Sequence, residues 1–296
     1  MDEDPRPSAD RPGPLAPGLY LVATPIGNAR DITLRALDVL AAADVLAAED
    51  TRNTRRLLTI HGVRRPRGGQ LVPYHDHNGA AQRPRLLAAL AEGRSVALVS
   101  DAGTPLVADP GYRLASEAIA AGHPVTAVPG ASAALAALAV AGLPTDRFLF
   151  AGFLPPRSAA RRRALAELAA VPATLVVYES PRRLAASLAD MAATLGADRP
   201  AAVCRELTKR FEETRRGTLG ALAAEYAAAP EPRGEVVVLV GPPTAQAASG
   251  EALDAALAGT LPGRSVRDAA EAVAAELGLP RRQVYARALA LGRGGR

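Results

Sequence analysis

GLYLVATPIGN, residues 18–28, is a short apolar run that ends on a threonine, a proline and a glycine. The run suits a strand buried on both faces. Its end suits a loop whose backbone a ligand can approach closely. The next segment, DITLRALDVLAAA, carries Ile32, Leu34, Leu37, Val39 and Leu40 at spacings that fit a packed helix. The pattern then recurs: DVLAAED (44–50), LVPYHDH (71–77), SVALVSD (95–101) and PVTAVPG (124–130) read as further strands with helices between them. Strand and helix in alternation are the rhythm of a mostly parallel sheet.

A second series follows a Gly/Pro loop, AGLPTD (141–146), with strands at RFLFAGF, ATLVVYES, AAVCREL and EVVVLVG. The expected organisation is α/β: a disordered, Pro-rich tail over 1–17, one α/β domain over 18–142 and another over 143–242. A linker is expected over 243–262, then a helical segment over 263–296. In that segment Ser265 is placed to cap a helix, with Asp268 at the capping-box spacing. Two helices around GLP read equally as a helix-turn-helix or as a hairpin closing the second domain.

The 296 residues contain a single cysteine, Cys204, so no disulfide can form within the chain, and a reducing, cytoplasmic setting is expected. No apolar stretch is long enough to span a membrane. The net charge of +5 suits a polyanionic partner. Of 35 cationic residues one alone is a lysine, Lys209, in RELTKR.

Ligands of open α/β sheets bind beyond the carboxyl ends of the strands. Those ends read TPIGN, EDTRNT, HDHN, SDAGTP and PGAS in the first domain, and FLPPR, YES and RELTK in the second. Asp101 in SDAGTP suits a cationic or hydroxyl-bearing ligand, and Gly103 keeps the backbone open. A P-loop and a G-x-G-x-x-G fingerprint are both missing. His75 and His77 alternate faces in an extended segment, which is poor chelating geometry, so no metal site is expected there.

Taken in order, LYLVATPIGNARDITLRALDVL, AAEDTRNTRRLL, HDHN, ALVSDAGTPLVADPGYRL, PGASAALAAL, AGLPTDRFLFAGFLPPR, YESPRRL and CRELTKRFEE resemble the bacterial 16S rRNA (cytidine-2′-O)-methyltransferase family, RsmI, of the tetrapyrrole methylase superfamily. The resemblance covers residues 18–242 and extends more weakly into the C-terminal helices. It implies a two-domain tetrapyrrole-methylase-like fold with S-adenosyl-L-methionine in the cleft. It implies 2′-O-methylation of cytidine 1402 in the 16S rRNA of the small ribosomal subunit, and a possible homodimer. Carried onto this chain, it places the cofactor against Pro25, Asp101, Ala102, Gly103, Thr104, Ser132, Ala133, Tyr178 and Glu235. With RNA as the implied substrate, the segments flanking the proposed cleft offer Arg52, Asn53, Arg55, His75, His77 and Arg157 as candidate RNA contacts.

A ribose hydroxyl needs a proton acceptor, and arginine cannot be one. Lysine can be tuned down by burial or neighbouring cations, which makes Lys209 the first candidate base, with Glu206 and Glu179 competing. Two other readings stay open: a methylase of the same fold acting on a small molecule such as a tetrapyrrole, and a nucleic-acid-binding regulator with an α/β sensor.

Overall fold

The computed structural model describes residues 13–107, 111–243, 250–262, 264–277, 279 and 281–293. The first half runs β1 (Gly18–Val22), α1 (Leu34–Ala42), β2 (Val45–Ala48), α2 (Thr51–Ile60), β3 (Gln70–Pro73), α3 (Gly79–Ala91), β4 (Ser95–Val99), α4 (Tyr112–Ala120), β5 (Val125–Val128) and α5 (Ala133–Ala141). Its sheet has the order β3-β2-β4-β1-β5, and every pairing is parallel. The proline that ends β3 is tolerated because β3 is an edge strand. The central β2 and β4 are buried throughout, so they read as unbroken apolar runs. Thr33 and Asp50 start α1 and α2 by accepting the backbone N–H groups of Ala36 and Arg52.

The second half runs β6 (Phe148–Phe153), α6 (Ser158–Leu168), β7 (Thr174–Glu179), a 3₁₀ turn (Pro181–Arg183), α7 (Leu184–Leu195), β8 (Pro200–Arg205), β9 (Glu213–Thr218), α8 (Leu219–Ala228) and β10 (Val236–Val240). Its sheet, β6-β7-β10-β8-β9, is mixed: β6 and β7 are parallel, while β10 runs antiparallel to both β7 and β8, and β9 to β8. The expectation of a mostly parallel sheet therefore describes the first sheet and not the second. Strand direction leaves no mark on side-chain periodicity. The strand β9, ETRRGT, lies outside the nine expected runs, because an exposed edge strand needs no apolar alternation.

Helix α5 is apolar all round, and its position explains this. Ala134, Ala137, Leu138 and Ala141 form one buried cluster with Val176, Ala202, Cys204, Val237 and Leu239 of the second sheet. It is the shared wall of the two halves. The other face of the second sheet packs against α6, α7 and α8 through residues such as Leu165, Leu188 and Leu222.

The C-terminal helices are α9 (Gly250–Thr260), α10 (Val266–Leu277) and α11 (Arg281–Arg293). Helix α9 occupies much of the stretch expected as linker: Leu253 and Leu257 are buried against Val273 and Val284, so they belong to the bundle. Ser265 accepts the Asp268 N–H at 3.1 Å and so caps α10. Residues 1–12 of the expected disordered tail lie outside the described residues. Among the described residues no helix is long and apolar enough to cross a membrane.

Candidate active site

The loops after β1, β4 and β5 are welded into one rim. Thr24 and Gly103 exchange backbone hydrogen bonds at 2.9 and 3.0 Å, and Thr104 Oγ1 donates to the Ala131 carbonyl at 3.0 Å. Gly103 takes φ +84°, a conformation that favours glycine, and it leaves the backbone bare. Gly130 lies so close to β1 that a Cβ there would stand 2.8 Å from Ala23 Cβ.

This rim faces the second sheet across a cavity of about 360 Å³. Ala102, Gly103, Thr104, Ser132 and Ala133 line it from the first half. Tyr178, Glu179 and Glu235 line it from the second. Ile26, Phe153, Cys204 and Leu207, none of them among the expected site residues, also form its wall. Gly152 inside the apolar run of β6 was the available signal for Phe153, because a glycine in a strand marks a bulge.

Several expected residues are not in the wall. The Asp101 carboxylate accepts the Asp50 N–H at 2.9 Å and Asn53 Nδ2 at 3.0 Å. It ties the loop after β4 to the start of α2, and so it is engaged beside the cavity. Pro25 only precedes Ile26, which does line it. HDHN forms a turn at the end of edge strand β3, with the His75 N–H donating to Asn78 Oδ1 at 2.9 Å. Three strand spacings separate β3 from β1, or about 14 Å. His75 and His77 therefore sit at the outer rim. Arg157 is exposed at the start of α6. Arg52 is bound to Asp50 at 2.6 Å, and its hydrogen bonds hold the Asp50 carboxyl down at about 2. Arg55 and Arg56 are exposed on the same helix.

The candidate bases are placed differently from expectation. Lys209 Nζ donates to Glu206 Oε1 at 2.8 Å and to Glu235 Oε2 at 3.0 Å. Burial pushes this ammonium down, but the hydrogen bonds and charges of the two carboxylates outweigh burial, and its pKa lies above the ordinary lysine value. That direction is opposite to the tuning a lysine base requires. Burial likewise pushes Glu206 up, yet Lys209, the Glu235 N–H and Arg205 bring it net below the ordinary carboxylate value. The Glu179 side chain is fully enclosed, its Oε1 accepting the Ser180 N–H and Arg183 Nη2, each at 2.7 Å. Strand alternation puts it on the face of Val177, which belongs to the outer core, and opposite Tyr178. It anchors the turn that follows β7.

The lysine loop also clasps the first domain. The Asn28 N–H donates to Thr208 Oγ1 at 3.0 Å, and Gly27 packs directly against the Lys209 stem. Glu206 and Thr208 hold φ values of +52° and +64°, so this loop carries backbone strain on both sides of Leu207.

Residues 18–223 match the family model of tetrapyrrole (corrin/porphyrin) methylases, and residues 247–292 match that of the RsmI C-terminal HTH domain. The chain is 55% identical over 278 residues to the ribosomal RNA small subunit methyltransferase I of Mesorhizobium japonicum, covering 94% of this chain and 93% of that one. The chain belongs to this family. The protein of the same name from Micromonospora olivasterospora is 50% identical over 270 residues, with 90% and 85% covered. Among solved structures, the uroporphyrin-III-C-methyltransferase of Thermus thermophilus has 26% identity and a TM-score of 0.53, covering 75% of this chain and 93% of that one.

Family membership makes the chain an S-adenosylmethionine-dependent methyltransferase with the two-domain methylase fold. The cavity fits that cofactor in kind. Its volume is that of a small-molecule site. Ser132 makes no side-chain cap hydrogen bond on α5, and the start of that helix borders the cavity.

Proposed function

We propose that the chain methylates the ribose 2′-oxygen of cytidine 1402 in 16S rRNA, within the small ribosomal subunit in the cytoplasm. The observation that carries this reading is the cavity between the halves, where the rim of the first sheet meets Tyr178 and Glu235 of the second. The names of its relatives supply the substrate class.

When bound, S-adenosylmethionine supplies a methyl carbon made electrophilic by its sulfonium. The bare backbone at Gly103 and the start of α5 at Ser132 and Ala133 would hold it. The acceptor hydroxyl must give up its proton. Glu235 is the carboxylate suited to take it: it lines the cavity, and its side chain is 73% exposed. Lys209 fixes that carboxylate through Oε2, and Glu206 fixes Lys209 and the Glu235 backbone in turn. Positioning contributes alongside the proton acceptor. Exposed Arg55, Arg56 and Arg157 supply charge for the phosphates.

The test is methyl transfer from labelled S-adenosylmethionine to small subunits from cells lacking this modification. Label on one cytidine ribose is expected. Label on a base, or transfer to a tetrapyrrole with none to RNA, overturns the reading.

A further inference from the structure

Strand β6 contains a bulge that decides where one side chain points. In the register with β7, Phe150 stands opposite Val176, Gly152 opposite Val177 and Phe153 opposite Tyr178, so Ala151 is the extra residue. Gly152 takes φ +63°, in the left-handed region that favours glycine. Without the bulge, strict alternation would put Phe150 and Phe153 on opposite faces of the sheet. With it, both rings pack edge-on against Tyr178, at centroid distances of 4.8 and 5.6 Å. The face they share is the one turned toward the first domain, where Phe150 and Tyr178 join the buried cluster around α5.

Phe150 is partly buried there, but Phe153 remains 58% exposed in the cavity wall. In a chain with four phenylalanines and no tryptophan, a phenyl ring aimed into a ligand cavity and left uncovered is an unused contact surface. The contact with Tyr178 leaves Phe153 largely exposed, with area for a flat partner. Rings of this kind take nucleobases, whose π-faces stack regardless of hydrogen-bonding pattern.

We infer that Phe153 is a stacking platform for a planar nucleobase, and that the bulge at Gly152 serves to aim it. The inference rests on the proposed function for its ligand class. Two sources share that chemistry, the adenine of the cofactor and the base of the acceptor nucleotide.

The experiment measures binding in two arms for Phe153→Ala, Phe153→Leu and Phe153→Tyr. One arm is calorimetry with S-adenosylhomocysteine. The other is filter binding to small subunits lacking the modification, with S-adenosylhomocysteine saturating. The Ala and Leu variants should lose roughly five- to hundredfold in one arm, and Tyr should retain wild-type affinity there. A loss in the cofactor arm identifies adenine as the stacked base, and a loss in the subunit arm identifies the acceptor base. Affinities within twofold of wild type in both arms for Ala overturn the platform. So does a Leu variant that binds as wild type, since bulk without an aromatic face would then suffice. A shift of Phe153→Ala to a smaller oligomer with both affinities unchanged would instead assign the ring to a contact between copies. Both arms read binding, so a wild-type chain that binds but transfers no methyl group overturns the proposed reaction and leaves the platform standing.

Discussion

Lys209 Nζ lies 2.8 Å from Glu206 Oε1, in an ion pair three residues apart in sequence and mostly enclosed. The single lysine of this chain is thus held as a cation. Its raised pKa means its contribution to stability is complete below the unfolded value of 10.5 and is lost only as pH rises through the higher folded value. For Glu206 the sign is reversed: the contribution is complete above 4.5 and is lost as pH falls through the lower folded value. The stability difference between wild type and Lys209→Met should therefore be full around neutral pH and shrink on acidification, as Glu206 takes up its proton. Calorimetric melts across pH read this directly. A difference that shrank as pH rose through neutrality would show Lys209 losing its proton there and restore it as a base. In single-turnover assays Lys209→Arg should keep much of the rate that Lys209→Ala loses, because the requirement is a cation.

Asp101 is bonded to the Asp50 N–H and to Asn53, beside the cavity. Asp101→Ala should cost about 1 kcal/mol of stability, the net worth of exposed hydrogen bonds. It should lower S-adenosylhomocysteine affinity by less than about tenfold. Loss of detectable binding in a folded Asp101→Ala protein would show the carboxylate touching the cofactor, which its partners here do not suggest.

The arginines of α2 should differ in their use for RNA. Arg52 is neutralised by Asp50, whereas Arg55 makes, among the described residues, a weak 3.4 Å contact to Thr51 Oγ1. Arg55→Ala should reduce the slope of log K against log salt by about 0.7 for a single-stranded site, and Arg52→Ala should change it little. Equal reductions for both would mean that the Asp50 pair opens on binding.

The loops that build the cavity were legible because each follows an apolar run and breaks into glycine, proline and polar residues, as TPIGN and SDAGTP do. What those loops do to one another was less legible. Lys209 and Glu235 are 26 residues apart, and their contact exists because β10 inserts between β7 and β8, an antiparallel arrangement that periodicity does not encode. Without that contact in view, burial and neighbouring arginines suggested a depressed lysine pKa. Glu179 was harder to place for a simpler reason: adjacent strand residues face opposite sides, so its carboxylate turns away from the face of Tyr178 into the enclosed turn after β7, although the residue still borders the cavity. Helix α9 hid in an Ala- and Gly-rich stretch, although Leu253 and Leu257 stand one turn apart.

Gly27 tests the clasp between the two domains. A Cβ at this position would lie 2.4 Å from Lys209 Cγ, 2.8 Å from Thr208 Oγ1 and 3.1 Å from the Leu207 carbonyl oxygen. None of these is the free end of a long side chain, so the loop from Glu206 to Lys209 must move as a piece. Its strained φ values at Glu206 and Thr208 leave it little room to do so. Gly27→Ala should cost about 1–3 kcal/mol, as overpacking does, and should break the hydrogen bond from the Asn28 N–H to Thr208 Oγ1. Displacing the loop also shifts Glu235 through Lys209, so turnover should fall further than cofactor affinity. The double mutant Gly27→Ala/Lys209→Ala isolates the cause. Truncating the lysine to alanine deletes its Cγ, which removes the shortest contact but leaves Thr208 and Leu207 in place. The two substitutions should therefore couple by about 0.5–3 kcal/mol, with the second recovering part of the cost of the first. Strict additivity in the melts would place the strain elsewhere, and the Lys209 stem would then play no part in holding the domains together.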